Sequence, residues 1–164
     1  MKKLYIIGGA MGVGKTSVGQ ELKYMLENSV FLDGDWCWDS DPFLVNEENK
    51  KMVLENICFL LNQFIKCPGY ENVIFTWVMD HQSIIESILK CLDLEDIDIK
   101  IISLTGNPET IKERLEKDIA TGIRKDDVVK RSIARLPLYQ KLNTIKINTD
   151  GKSIEDIAKE IACL

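Results

Sequence analysis

GGAMGVGKTS, residues Gly8 to Ser17, directly follows the apolar run Leu4–Ile7 near the start of the 164-residue chain. The stretch fits the pattern GxxxxGK[ST] in full, and apolar residues at helical spacing follow it. Glycines without Cβ atoms let the backbone wrap a phosphate, so that successive N–H groups point at its oxygens. The stretch therefore predicts a strand, a phosphate-binding loop and a helix, in that order.

This loop predicts binding of a nucleoside triphosphate, usually ATP. Lys15 is the predicted catalytic cation that reaches the β- and γ-phosphates, and the Thr16 hydroxyl is a predicted Mg²⁺ ligand. The alternative is a glycine-rich turn without a chemical role, which the motif and its position between strand and helix disfavour. The predicted nucleotide-binding residues of the loop are Gly9, Ala10, Met11, Gly12, Val13, Gly14, Lys15, Thr16 and Ser17.

The length and composition of the chain limit what kind of protein it encodes. We expect one domain over residues 1–164, because this length is typical of a single domain. The formal charge of −5 argues against binding to a nucleic acid polymer. The apolar run before the glycines is too short for a signal peptide or a membrane span. We therefore expect a cytoplasmic protein, monomeric or homodimeric, that does not bind membranes.

Five cysteines occur in the chain without any CxxC pair. An odd number of scattered cysteines in an intracellular protein is typical of reduced thiols, and the single histidine disfavours a zinc site. We therefore expect five free thiols.

Short apolar runs alternate with helical patterns along the chain, which is typical of a parallel sheet covered by helices on both faces. Asn107 before Pro108, and Ser153 before Asp156, are predicted helix N-caps. We expect a three-layer α/β/α fold with a five-stranded parallel sheet and the last strand at its rim. The five runs are KLYIIG, SVFLD, VIFTWV, IKIISL and TIKIN.

Two carboxylates follow the second predicted strand in the sequence FLDGDWCW. Asp33 and Asp35 are two residues apart, so an extended chain would point both into the crevice beyond the carboxyl ends of the strands. Asp33 is predicted to bind Mg²⁺, directly or through water, and Asp35 to be the general base for the acceptor; both are predicted to contact the substrate. The alternative is that Asp33-Gly34 only makes a tight turn.

With GGAMGVGKT in the first loop and LDGD after the second strand, the chain resembles the small P-loop kinases of metabolites and nucleosides. This group contains the shikimate, gluconate and nucleoside monophosphate kinases. Arg135-Leu-Pro-Leu-Tyr139 is similar to the segment of shikimate kinases whose arginine holds the acceptor. The resemblance covers nearly the whole chain and implies a P-loop fold and ATP-dependent phosphoryl transfer.

The resemblance also implies roles for three arginines. Residues 116–127 would form a short lid that brings Arg124 to the γ-phosphate during transfer. Arg114 would lie against the adenine ring, and Arg135 would bind the acceptor. Arg131 is a weaker candidate, because spacing alone does not decide which way it points.

Two segments depart from the shikimate kinase pattern. A triple-glycine turn is replaced by TWVMDHQ, and a helix that carries an arginine in that family reads VNEENKKMVLEN. These departures argue against shikimate as the acceptor. Trp36 is a predicted acceptor-binding residue, because it and three other aromatic residues near the strand ends suit a ring-bearing acceptor. Those three are Trp38, Phe43 and Trp77, and Asp80 and His81 open the next helix at the same crevice.

The sequence thus predicts an ATP- and Mg²⁺-dependent phosphotransferase that acts on a hydroxyl or phosphate group of a small molecule. A nucleoside, a nucleotide or an antibiotic is a possible acceptor. The alternative is a nucleotide-dependent binding switch or an ATPase without an acceptor. The chain lacks an NKxD-type guanine signature, and no long apolar strand ends in a second acidic motif.

Overall fold

The computed structural model describes residues 1–122 and 127–164. Within them lies a five-stranded sheet in the order β2-β3-β1-β4-β5, in which every pair of neighbouring strands is parallel. The predicted α/β class and the predicted place of the last strand at the rim are confirmed. The strands are β1 (Lys2–Gly9), β2 (Ser29–Asp33), β3 (Asn72–Trp77), β4 (Ile97–Thr105) and β5 (Ile145–Asn148).

Helices cover both faces of the sheet, because the central strands are apolar on both sides. Leu4 and Ile6 of β1 belong to a core shared with the second and third helices, whereas Tyr5 and Ile7 belong to a core shared with the first, fourth and sixth. The six helices within the described residues are α1 (Lys15–Met25), α2 (Glu47–Lys66), α3 (Gln82–Lys90), α4 (Pro108–Ala120), α5 (Val128–Gln140) and α6 (Ile154–Ala162).

The two predicted helix caps are confirmed. The Asn107 side chain accepts a hydrogen bond from the Glu109 backbone N–H at 2.8 Å. Ser153 and Asp156 form a capping box at the start of α6, in which the Ser153 Oγ accepts from the Asp156 N–H at 3.1 Å. These bonds satisfy backbone donors that the first turn of a helix leaves unpaired.

The predicted lid, residues 116–127, lies only partly within the described residues. Residues 116–120 are the last turns of α4, and a turn at Thr121 and Gly122 follows them. Leu115 and Ile119 are four residues apart, so they lie on the same face of α4 and pack in the core, which explains why the helix continues here despite its many charges. Arg124 lies outside the described residues.

The prediction of five reduced thiols is wrong for one pair. Cys58 of α2 and Cys91, directly after α3, form a disulfide, with Cα atoms 6.1 Å apart. The two helices pack on the same face of the sheet and bring together cysteines that are 33 residues apart in the chain. Cys37, Cys67 and Cys163 are free. Among the residues described, no helix has both the length and the hydrophobicity needed to cross a bilayer.

Candidate active site

The phosphate-binding loop joins β1 to α1 at the carboxyl edge of the sheet. Gly14 is the N-cap of α1 with φ 102°, a left-handed conformation that a residue with a side chain rarely adopts. The Lys15 Nζ donates a hydrogen bond to the Ala10 carbonyl at 3.0 Å, so the lysine side chain folds over the loop. The N-terminus of α1, with the positive end of its helix dipole, lies at this loop and is suited to attract an anion.

A cleft of about 490 Å³ lies on one side of this loop. Arg114 of α4 lines it and is held beside the loop by donating hydrogen bonds to the Val13 carbonyl at 3.3 Å and to the Thr149 Oγ1 at 3.4 Å. We call this the nucleotide cleft; its lining is Gly12, Gly14, Lys15, Thr16, Ser17, Arg114, Asp118, Lys152, Ser153 and Ile154. Of the other loop residues predicted to bind nucleotide, Gly9, Ala10 and Val13 are buried, and Met11 faces a second cleft described below.

Asp33 ends β2 beneath the loop and is only 5% exposed. Its Oδ2 accepts hydrogen bonds from the Thr16 Oγ1 at 2.6 Å and the Thr76 Oγ1 at 3.2 Å, and its Oδ1 accepts one from the Asp35 N–H at 3.0 Å. The Thr16 hydroxyl and the Asp33 carboxylate are hard oxygen donors held next to each other, which is the ligand type that Mg²⁺ prefers. The predicted Mg²⁺ residues therefore fit that ion chemically.

The prediction that Asp33 and Asp35 lie in an extended chain is wrong. A 3₁₀ helix begins directly after Asp33 and spans Gly34–Cys37, because the Asp33 carboxylate captures the Asp35 N–H. The aromatic ring of Trp77 packs on Gly34, where a Cβ would lie 2.5 Å from the Trp77 Cγ. The turn separates the two acids, so that Asp33 contacts the loop while Asp35 lines the second cleft.

The negative charges of the same two acids also affect the thiol of Cys37. Its pKa is raised above the ordinary value, first by burial and then by the negative charges of Asp33 and Asp35.

The second cleft, here called the acceptor cavity, has a volume of about 540 Å³. Trp38 and Phe43 form one wall, with ring centroids 4.7 Å apart in an edge-to-face arrangement. Trp36 is not among the lining residues; it is 56% exposed and packs edge-on against Phe31. The lining is Met11, Asp35, Trp38, Phe43, Val45, Lys50, Val53, Leu54, Trp77, Val78, Asp80, His81, Ser83, Ile84, Ser87, Arg131 and Arg135.

The arginines of the acceptor cavity come from α5. The Arg135 Nε lies 3.3 Å from the Oδ2 of Asp80, and the His81 Nε2 lies 3.8 Å from the other carboxylate oxygen of that residue. Arg131 forms an ion pair with Asp127, the N-cap residue of the same helix. Beneath this group, burial and the Asp80 charge raise the pKa of the Tyr139 hydroxyl above its ordinary value.

Three side chains outside the sequence-based predictions belong to the site, and two of them hold it together. Thr76 contacts Asp33 from the neighbouring strand; a polar residue inside the apolar run VIFTW was a detectable signal for it. The Ser132 Oγ donates to the Met11 carbonyl at 2.7 Å and fixes α5 to the loop, and Lys152 lines the nucleotide cleft. No local pattern in the sequence distinguishes Ser132 and Lys152 from other polar residues of the chain.

Comparison with known proteins agrees with this geometry. A model of the AAA domain family matches residues 6–134, a range that includes the phosphate-binding loop, both acids and most of α5. The chain belongs to the AAA domain family. The matched range of the AAA domain ends just before Arg135, so the family match does not extend to that arginine.

The proteins that this AAA domain resembles include small-molecule kinases. A shikimate kinase of Dehalococcoides mccartyi is 28% identical, and the alignment covers 93% of this chain and 88% of the relative. Among solved structures, a gluconokinase from Sinorhizobium meliloti has a TM-score of 0.69 at 17% identity, covering 96% of this chain and 88% of the neighbour. The tunicamycin resistance protein of Deinococcus radiodurans has a TM-score of 0.71 at 19% identity, covering 99% and 95%. The predicted resemblance to P-loop small-molecule kinases and the predicted enzyme class are confirmed.

Proposed function

We propose that the protein transfers the γ-phosphoryl group of ATP to a hydroxyl or phosphate group of a small molecule, with Mg²⁺ as cofactor. One observation carries the proposal: the nucleotide cleft and the acceptor cavity share the phosphate-binding loop, with Gly12 lining the first and Met11 the second. A protein that only binds or hydrolyses ATP has no need for a second cavity at this position. Asp35 in that cavity is the proposed general base.

For a hydroxyl acceptor, the transfer is a single in-line displacement. The acceptor oxygen forms a bond to the γ-phosphorus while the bond from that phosphorus to the β,γ-bridging oxygen breaks, and ADP leaves with the electron pair. The acceptor proton passes to the Asp35 carboxylate. Lys15 and the N-terminus of α1 stabilise the negative charge of the transferred group. Most of the rate enhancement comes from positioning and charge stabilisation.

Thr16 and Asp33 are the residues proposed to hold Mg²⁺, because their oxygens lie 2.6 Å apart at the edge of the loop. Bound there, the ion would neutralise charge on the phosphates of the nucleotide. The Asp33 carboxylate also accepts a hydrogen bond from the Asp35 N–H. It therefore connects the proposed Mg²⁺ site with the proposed base. Arg114, hydrogen-bonded to the loop carbonyl of Val13, is proposed to contact the nucleotide base.

A screen with labelled ATP tests the proposal. Purified protein is incubated with ATP, Mg²⁺ and a panel of sugars, nucleosides, nucleotides and aminoglycosides, and phosphorylated products are separated and identified. We expect at least one acceptor to stimulate ATP turnover, and Lys15→Ala to abolish that turnover while the far-UV circular dichroism stays unchanged. Lys23→Ala, in the same helix but outside both clefts, is the matched control.

Two outcomes would contradict the proposal. Undiminished turnover in Lys15→Ala would exclude the loop as the site of transfer. ATP binding without stimulation by any acceptor would instead favour a nucleotide-dependent switch.

A further inference from the structure

The acceptor cavity contains an arginine whose charge is already compensated by the protein. Asp80 follows β3, and its side chain is only 10% exposed where it meets the Nε of Arg135 at 3.3 Å. Arg135 remains 45% exposed and lines the cavity. The arginine thus faces the acceptor as one half of an ion pair and not as an isolated positive charge.

This pairing matters for the charge of the acceptor. A carboxylate of the acceptor that contacted Arg135 would also come close to the carboxylate of Asp80. The two negative charges would repel each other, and the repulsion would be strong because the cavity is partly desolvated. A cationic group that approached Asp80 would meet Arg135 and be repelled in the same way. The pair therefore favours an acceptor without net charge at this end of the cavity.

The opposite wall favours a ring. Trp38 and Phe43 pack edge-to-face, and Trp77, Val53 and Ile84 extend the apolar surface around them. Flat apolar surfaces of this kind suit the face of a ring, while a few polar groups fix its orientation. Asp35, the proposed base, lies in the same lining and supplies a site for a hydroxyl group.

We propose that the acceptor is an uncharged, ring-bearing alcohol and that Asp80 selects against carboxylate acceptors by compensating the charge of Arg135. The inference rests on the proposed kinase function and refines it. Asp80 lies in TWVMDHQ, the segment that stands in place of the triple-glycine turn of the shikimate kinase pattern. The inference predicts that uncharged acceptors bind more tightly than carboxylates, which is the opposite of what a carboxylate-binding site would do.

The test compares matched pairs of ligands. A panel of ring-bearing alcohols is prepared as carboxylic acids and as their uncharged methyl amides, together with uncharged nucleosides. Binding is measured by quenching of tryptophan emission, since Trp38 and Trp77 line the cavity, and is confirmed by calorimetry. For wild type we expect at least one uncharged compound to bind, and the amide of a pair to bind at least about tenfold more tightly than the acid.

Asp80→Asn keeps the size of the side chain but removes its charge. The variant is expected to bind the acids at least about tenfold more tightly than wild type does, with little change for the amides. Asp80→Asn combined with Arg135→Gln is expected to lose that gain, because the arginine charge that Asp80→Asn leaves without its carboxylate is then removed as well. Asp93→Asn, a surface carboxylate outside the cavity lining, is the matched control and should leave the ratio unchanged.

A gain of affinity for acids cannot arise from partial unfolding, so the key outcome is separate from stability. The inference would be overturned if wild type bound none of the uncharged compounds, if it preferred the acids, or if Asp80→Asn left the ratio of acid to amide affinity unchanged. These measurements require no phosphoryl transfer. Failure of the proposed kinase function would show instead as absence of Lys15-dependent transfer to any acceptor.

Discussion

Asp33→Asn is expected to lower both the stability of the fold and the affinity of the nucleotide site for Mg²⁺. The native carboxylate is buried and accepts three hydrogen bonds, from the Thr16 and Thr76 hydroxyls and the Asp35 N–H. Hydrogen bonds to a charged group contribute about 1.5–3 kcal/mol each, against about 0.5–1.5 kcal/mol for neutral ones. Replacement by a neutral amide should therefore cost about 1 kcal/mol for each bond, or about 3 kcal/mol in the free energy of unfolding.

The measurement is urea denaturation of Asp33→Asn beside Asp35→Asn. With a denaturant slope of about 2 kcal/mol/M, a loss of about 3 kcal/mol lowers the urea midpoint by about 1.5 M. The Asp35 side chain is exposed, so Asp35→Asn should change the free energy of unfolding by less than about 1 kcal/mol. In function the order reverses: Asp35→Asn should keep nucleotide binding but lose about 10²–10⁴-fold in transfer, because the general base is gone.

Titration of nucleotide binding with Mg²⁺ completes the comparison. Asp33→Asn should require more Mg²⁺ for half-maximal binding, whereas Asp35→Asn should match wild type. Equal urea midpoints for the two variants would refute the assignment of Asp33 as the charged centre of a buried network. Equal Mg²⁺ titrations would refute its role at the metal.

Three further outcomes are expected. Gly34→Ala should lower transfer and shift tryptophan emission, because its Cβ would lie 2.5 Å from the Trp77 Cγ, whereas Gly69→Ala, whose Cβ meets nothing closer than 3.8 Å, should change neither. Alkylation of the unfolded protein without reductant, read by mass spectrometry, should modify three of the five cysteines; five modified cysteines would contradict the disulfide. In the native protein, Asp35→Asn should speed alkylation of Cys37 near pH 8.5, because loss of one negative charge lowers the raised pKa of the thiol and increases its thiolate fraction.

The fold was largely predictable, since its determinants are local. Each of the five apolar runs forms a strand in the structure. Both predicted caps form as well, because a polar side chain before the first turn satisfies the nearest free N–H groups. The order of the inner strands was not predictable in this way. That order depends on which face of the sheet each connecting helix covers. The alternating polar and apolar residues of β5 predict only that this strand lies at the edge of the sheet.

The candidate site was predictable where the backbone builds it and less so where side chains build it. The GxxxxGK[ST] spacing fixes the loop, so its position could be predicted from ten residues. The sequence also predicts that Asp33 and Asp35 follow one another near the loop. It does not predict the 3₁₀ turn that separates them, because that turn depends on one hydrogen bond from the Asp35 N–H. The pairing of Asp80 with Arg135 joins residues 55 positions apart, and no local pattern encodes it.

The same distinction explains how close relatives of one fold come to use different acceptors. The phosphate-binding loop relies on backbone N–H groups and on glycines, so it tolerates wide changes elsewhere in the sequence, and the fold itself recurs among proteins under 20% identical. The acceptor side relies on side chains such as Asp80 and Trp38, and one substitution there changes charge or shape without disturbing the loop. The pairing of Asp80 with Arg135 would be such a change if Arg135 binds the acceptor as proposed. The acceptor should therefore be sought from the charge of this cavity rather than from the substrates of proteins that share its loop.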